Sequence, residues 1–287
     1  MNQSKLKLLS AMGIFGTIGV FVKYLPIPSA SLAFFRGVMG VLFLLGCMLV
    51  TGQKPDKAAI RKNFWILVIS GGAIGFNWIL LFEAYRYTTV ATATVCYYLA
   101  PLFLLLLSPL LGEKLTLKKV LCISVALVGM IFVSGVMEGG MPSFAELRGV
   151  LMGIGAAILY ASVMFMNKKL SPIPAYDKTN MQLGAASLVI LPYLLMTQGF
   201  GISGLTGIQW GILVTLGVVH TGIAYALYFG SMKDIPSQTI AIFSYIDPVV
   251  AVLLSTLVLR ETITLWGILG TALILGSALY SELSPKH

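Results

Sequence analysis

Residues 90–111 read VATATVCYYLAPLFLLLLSPLL, 22 positions without a single charge. A helix of that length crosses the roughly 30 Å hydrocarbon core of a bilayer. The run shows no period-2 alternation, which excludes a strand of a membrane barrel. Working outward, similar apolar segments fall at 6–24, 31–50, 64–85, 117–136, 147–167, 179–197, 209–230, 237–259 and 265–281. Ten spans of about 20 residues use about 200 positions, and the 287-residue chain then has room only for short loops and tails. Composition agrees: 58% of residues are hydrophobic and 10% charged, against roughly 45–50% and about 25% in soluble domains. Lipid is the expected solvent, and no soluble catalytic domain fits.

The net charge of +9 would suit nucleic acid only if it formed a basic stripe on one surface. Here the charges lie between the apolar segments, so a nucleic-acid partner is not expected. With the N-terminus cytoplasmic, fourteen lysines and arginines fall on that side and four, Lys23, Arg86, Arg148 and Arg260, on the other, while Arg36 lies inside a segment. That asymmetry follows the positive-inside rule and places both termini in the cytoplasm. The basic start followed by 6–24 has the charge pattern of a signal peptide, but its apolar run is too long and lacks a small-x-small cleavage site, so it is read as a mature helix. Cys47, Cys96 and Cys122 lie inside segments without C-x-x-C spacing, which fits small packing residues and neither a disulfide framework nor a zinc site. No Walker motif is present, and Gly153-Ile154-Gly155 lies in a span without a G-x-x-G completion, so ATP drive is unsupported.

The chain repeats itself. Leu25-Pro26-Ile27-Pro28 matches Ser171-Pro172-Ile173-Pro174 at an offset of 146, Tyr98-Leu99-Ala100-Pro101 matches Tyr245-Ile246-Asp247-Pro248 at 147, and Glu113 matches Glu261 at 148. A unit of five spans, copied once, enters the membrane from opposite sides, because five is odd. The expected fold is all-α and integral to the membrane, with ten transmembrane helices as two inverted five-helix repeats, 1–140 and 141–287.

The Arg early in the second segment (Phe35-Arg36-Gly37), Tyr-x-x-Pro in the fourth and ninth, and Gly112-Glu113-Lys114-Leu115-Thr116 echoed by Arg260-Glu261-Thr262-Ile263-Thr264 resemble the EamA family of the drug/metabolite transporter superfamily. That resemblance covers nearly the whole chain. It implies a metabolite carrier, more often an exporter, with a central cavity lined mainly by segments 3, 4, 8 and 9, with contributions from 1, 2, 6 and 7. Segments 5 and 10 would lie peripherally. It assigns no role to Asp247, which stands where the first copy has Ala100.

Several residues invite a chemical reading. Asp247 falls near the middle of its segment, where a charge costs roughly 2.5–3.5 kcal/mol on insertion scales; it either faces a cavity and binds a cation or a proton, or ties two helices. Pro248 removes a backbone donor and frees a carbonyl near Ser244. His220, mid-segment, either shares a proton with Asp247 or bonds a neighbouring helix. Arg36 either holds an anion or carboxylate, or locks a helix pair. Glu83 pairs with Arg36 as a gate, or with Arg86 one turn on.

Asn77, Trp78, Tyr97, Tyr98, Tyr160, Tyr225, Tyr228 and Tyr245 lie away from the segment ends, where interfacial belts would place aromatics, and together suit a cavity that stacks on a flat or cationic solute. Pro101 and Pro248 distort matched helices at mid-depth, the usual pointer to a transport site. Pro109 and Pro192 are unmatched and read as simple bends. Glu113 and Glu261, with Thr116 and Thr264, read as helix starts. Gly71 and Gly75, Gly149 and Gly153, and Gly207 and Gly211 read as close helix contacts.

The expected function is secondary transport of a small amphipathic metabolite (an amino acid, amine or aromatic compound) by alternating access, with or without proton or other ion coupling, in the bacterial cytoplasmic membrane. Its partners are that solute and lipid, with monomer and homodimer both open; no cofactor, metal or catalytic set is expected. The competing classes are a membrane sensor or scaffold that binds a ligand without moving it, and an intramembrane enzyme, for which no paired nucleophile is present.

Overall fold

A computed structural model describes residues 3–111, 117–133, 137, 143–196, 199–232 and 243–283. Every regular element among them is helical: α1 (Gln3–Gly16), α2 (Ile18–Lys23), α3 (Ser29–Val50), α4 (Lys57–Tyr87), α5 (Val90–Tyr97), α6 (Ala100–Leu107), α7 (Leu117–Val133), α8 (Phe144–Lys168), α9 (Ala175–Met196), α10 (Gly207–Gly217), α11 (Ala224–Met232), α12 (Ile246–Leu257) and α13 (Leu265–Leu283), with a π-helical turn, Val218–Ile223, between α10 and α11. Six runs among the described residues are long and apolar enough to cross a membrane: Gln3–Lys23, Ser29–Val50, Lys57–Tyr87, Phe144–Lys168, Ala175–Met196 and Gly207–Tyr228.

The helices start where local chemistry supplies partners for their free N–H groups. Asp56 caps α4 by accepting from Ala59 N at 2.9 Å, and Thr89 caps α5 from Thr92 N at 3.0 Å. Ser143 with Glu146, and Thr206 with Gln209, form capping boxes for α8 and α10. Thr264 caps α13 through Gly267 N at 3.0 Å, as its position predicts.

In lipid there is little hydrophobic drive between helices, so close approach and interhelical hydrogen bonds hold them. α4 is the axis, lying against α8 and α9. Gly71 and Gly75 meet α9: a Cβ at Gly71 would come 2.5 Å from the Gln182 carbonyl oxygen. Gly149 and Gly153 bring α8 onto Thr88 and α5. Gly207 and Gly211 behave otherwise: among the described residues no atom lies within 4 Å of an added Cβ, so the spacing makes no contact there. α7 and α13 pair with each other through Gly129 and Gly270.

The fourth apolar segment is not one helix. It breaks at Tyr98-Leu99, between α5 and α6, and the ninth breaks at Tyr245, just before α12. The same Tyr-x-x-Pro interrupts the helix at both repeat positions, because the proline supplies no N–H and crowds the carbonyl one turn back. Asp247 consequently sits in the first turn of α12 and not in the middle of an unbroken helix. The first segment is likewise split, at Thr17.

Polar contacts gather at two ends. One holds Lys23, Arg86, Thr88 and Glu261. At the other, Asp177 accepts from Asp56 N at 2.9 Å, and Asn63 and Ser171 bond reciprocally, Asn63 Nδ2 to Ser171 O at 3.2 Å and Ser171 N to Asn63 Oδ1 at 2.9 Å.

Candidate functional site

The two helix breaks meet. Tyr98 Oη donates to Asp247 Oδ2 at 2.8 Å and lies 3.1 Å from the Ser244 carbonyl oxygen. That carbonyl is the one Pro248 leaves without its helical donor. The single phenol hydrogen from the first break is therefore shared between the carboxylate and the freed carbonyl of the second, which offsets part of the cost of holding both in a low-dielectric interior.

Aromatic rings extend from this contact. Tyr245 lies 6.1 Å from Tyr98 between ring centroids, Tyr97 6.0 Å from Tyr98, and Tyr160 stacks on Tyr97 at 5.3 Å. Tyr160 is 38% exposed and so offers an aromatic face beside the cluster. Tyr225 packs edge-on against Phe15 at 5.4 Å. Surfaces of this kind stack on flat or cationic groups.

A second polar centre lies at the π-helical turn. Such turns widen a helix by one residue and recur at functional sites; this one presents His220 and Thr221 side by side. Thr221 Oγ1 accepts from Arg36 Nε at 3.0 Å, and the Arg36 guanidinium lies over the rings of Trp78 at 4.6 Å and Phe82 at 5.3 Å. Glycine makes room for this arrangement: a Cβ at Gly222 would come 2.6 Å from Phe43, and one at Gly40 2.6 Å from Thr221.

His220 is placed away from Asp247's partner set. Its Nε2 lies 2.6 Å from Thr17 Oγ1 and its Nδ1 3.2 Å from the Thr215 carbonyl, and its ring packs on Phe21 at 4.9 Å. Nε2 thereby ties the π turn to the break between α1 and α2, while Nδ1 is used locally on the α10 carbonyl of Thr215. Asn77 is likewise spent between helices, donating to the Ala156 carbonyl at 2.5 Å with only 1% exposure. Glu83 meets Arg86 at 3.9 Å and not Arg36, so of its two expected partners the local one is present.

Glu261 departs from its expected place at the start of α13. It pairs with Lys23 at 3.1 Å and accepts the Val90 N–H at 2.8 Å and the Ser255 hydroxyl. It thus serves the start of α5, in the other half, and not the helix that follows it. Arg260, with φ of 56°, bends the chain through the left-handed region and turns Glu261 back. Glu113 and Thr116 lie outside the described residues. Beside this contact, a cavity of about 260 Å³ is lined by Val22, Lys23, Leu25, Pro26, Tyr85 and Arg86.

Sequence reasoning passed over Thr17, Thr221 and Lys23. Threonines in a span carry no distinctive pattern. Lys23 did carry one, because Lys169 stands at the same offset of 146 as the matched Pro-x-Pro pairs.

A model of the EamA-like transporter family matches residues 5–135 and again 147–281. An uncharacterized transporter of Bacillus subtilis, YxxF, is 31% identical over 273 residues, covering 94% of this chain and 86% of that protein. An uncharacterized transporter of Archaeoglobus fulgidus is 31% identical over 279 residues, covering 94% and 93%. A crystal structure of a protein 20% identical in sequence shares the fold, with a TM-score of 0.66 over 98% of this chain and 96% of that one. The duplicated match and the full-length relatives establish that this chain, a multi-pass membrane protein, belongs to the EamA-like transporter family.

Proposed function

We propose that the protein is a secondary transporter that moves a small amphipathic metabolite out across the bacterial cytoplasmic membrane by alternating access, with the two matched helix breaks as its centre. The observation that carries this reading is the contact of Tyr98 with Asp247 and Ser244. It joins corresponding points of residues 1–140 and 141–287, which are read as inverted five-helix repeats with both termini cytoplasmic. The separate matches of the family model to 5–135 and 147–281 support the duplication. Discontinuous helices at matched positions place polar groups at mid-depth without exposing them to lipid. Asp247 takes the cationic group of the solute or a proton, and Tyr98, Tyr245, Tyr97 and Tyr160 supply the aromatic wall.

The test is uptake into liposomes containing the purified protein, with an amino-acid, amine and aromatic-compound panel, with and without an imposed pH gradient. Wild type concentrates at least one solute when the gradient is applied. Asp247→Asn loses the gradient response. Equal uptake by wild type, Asp247→Asn and empty liposomes would overturn the proposal.

A further inference from the structure

We propose that Arg36 is a carboxylate-binding site, so that the solute carries a single carboxylate attached to a flat or apolar body. This rests on the transporter reading and narrows its substrate class.

Arg36 lies two turns into α3, is 3% exposed, and among the described residues is held by neutral groups. Its Nε reaches Thr221, and two aromatic rings cover the guanidinium. Six carboxylates whose side chains are described are engaged elsewhere: Asp56 and Glu146 at helix starts, Asp177 on Asp56 N, Glu83 on Arg86, Glu261 on Lys23 and Asp247 on Tyr98. A guanidinium presents five N–H donors in a planar fork that fits a carboxylate with two parallel bonds. Only one of those donors is committed to a described residue. A helix lock would spend the fork on a carboxylate or on carbonyls; here the fork is left for a ligand, and a buried charge persists when its partner arrives with function.

Tyr85 lines the 260 Å³ cavity beside Lys23 and Arg86, and its ring lies 6.4 Å from that of Phe82, over which the Arg36 guanidinium sits. Arg36 is thus one fixed positive centre, and Asp247, bonded to Tyr98, is a separate acidic one. A single guanidinium matches a monoanion. A phosphate dianion would bring surplus negative charge toward Asp247, and an amine would meet Arg36 as a like charge.

The experiment uses Trp78, which stacks on Arg36, as the reporter. The other tryptophans, Trp65, Trp210 and Trp266, are changed to Phe, and emission is followed in purified protein as benzoate, benzamide or benzylamine is added. Benzoate is expected to change the emission saturably at a concentration at least tenfold below either of the others. Arg36→Gln abolishes that preference. Arg36→Lys, which keeps the charge and loses the fork, retains the preference with several-fold weaker binding and covers the case in which the Gln variant does not fold. A response to benzoate no greater than that to benzamide, or none to either, overturns the assignment. Liposome uptake keeps the two ideas apart: transport confined to solutes without a carboxylate sinks only the Arg36 site, and benzoate binding without transport of any solute sinks only the transporter reading.

Discussion

Glu261 bonds across the two halves of the chain, with one carboxylate oxygen 3.1 Å from Lys23 Nζ and the other accepting the Val90 N–H at 2.8 Å. The ion pair itself is partly open to solvent, with side-chain exposures of 29% and 15%, and such pairs contribute about 1 kcal/mol or less. The bonds to Val90 and Ser255 involve a charged acceptor and are worth about 1.5–3 kcal/mol each. Glu261→Ala is therefore expected to lower the unfolding temperature in detergent clearly more than Lys23→Met does. Equal shifts for the two variants would show that the backbone cap contributes nothing.

Tyr98 and Asp247 act as a unit, so their losses should not add. Tyr98→Phe removes the donor to the carboxylate and to the Ser244 carbonyl, and is expected to cost about 1–3 kcal/mol of stability. Asp247→Asn keeps an acceptor for the phenol and costs less. A double-mutant cycle on thermal stability reads the coupling, expected at 0.5 kcal/mol or above in size, roughly the threshold for contacting residues. Strict additivity would separate the two groups.

His220 is bonded to Thr17 and Thr215, which makes it a tie and not the partner of Asp247. Thr17→Val and His220→Gln are both expected to reduce stability by about 1 kcal/mol while leaving the pH dependence of liposome uptake at its wild-type midpoint. Asp247→Asn moves or removes that dependence. A shifted midpoint in His220→Gln would revive a proton relay between His220 and Asp247.

Glycines give the sharpest packing contrast. Gly71→Ala drives a methyl against the Gln182 backbone at 2.5 Å, and overpacking of this kind costs about 1–3 kcal/mol. Gly211→Ala meets no described atom within 4 Å and should be neutral or stabilising by up to about 1 kcal/mol through helix propensity. Thermal unfolding of the two variants checks both signs.

Pattern on one line of sequence could reveal what the chemistry of lipid imposes locally. The apolar run 90–111, the Tyr-x-x-Pro pairs and the candidate caps are each written in adjacent residues, and Thr264 does cap α13. Freeing of the Ser244 carbonyl by Pro248 was equally legible. Its rescuer was not, because Tyr98 lies 146 residues away in the chain. Glu261 shows the same limit, for its position before a helix start reads as a local cap, and only the left-handed turn at Arg260 sends it to Val90 instead. Gly207 and Gly211 have the spacing of a contact without a neighbour among the described residues.

The amino-acid sequence by itself determined that lipid is the solvent, that the chain is helical, and that its landmarks occur twice, because hydropathy, proline and capping act within a few residues. Tertiary structure alone decided which polar groups answer one another: Tyr98 with Asp247, His220 with Thr17, Lys23 with Glu261, and Arg36 with Thr221 and two aromatic rings. Those pairings depend on how helices distant in the chain cross and rotate, and in a bilayer that is settled by close packing and by the need of every buried polar group for a partner.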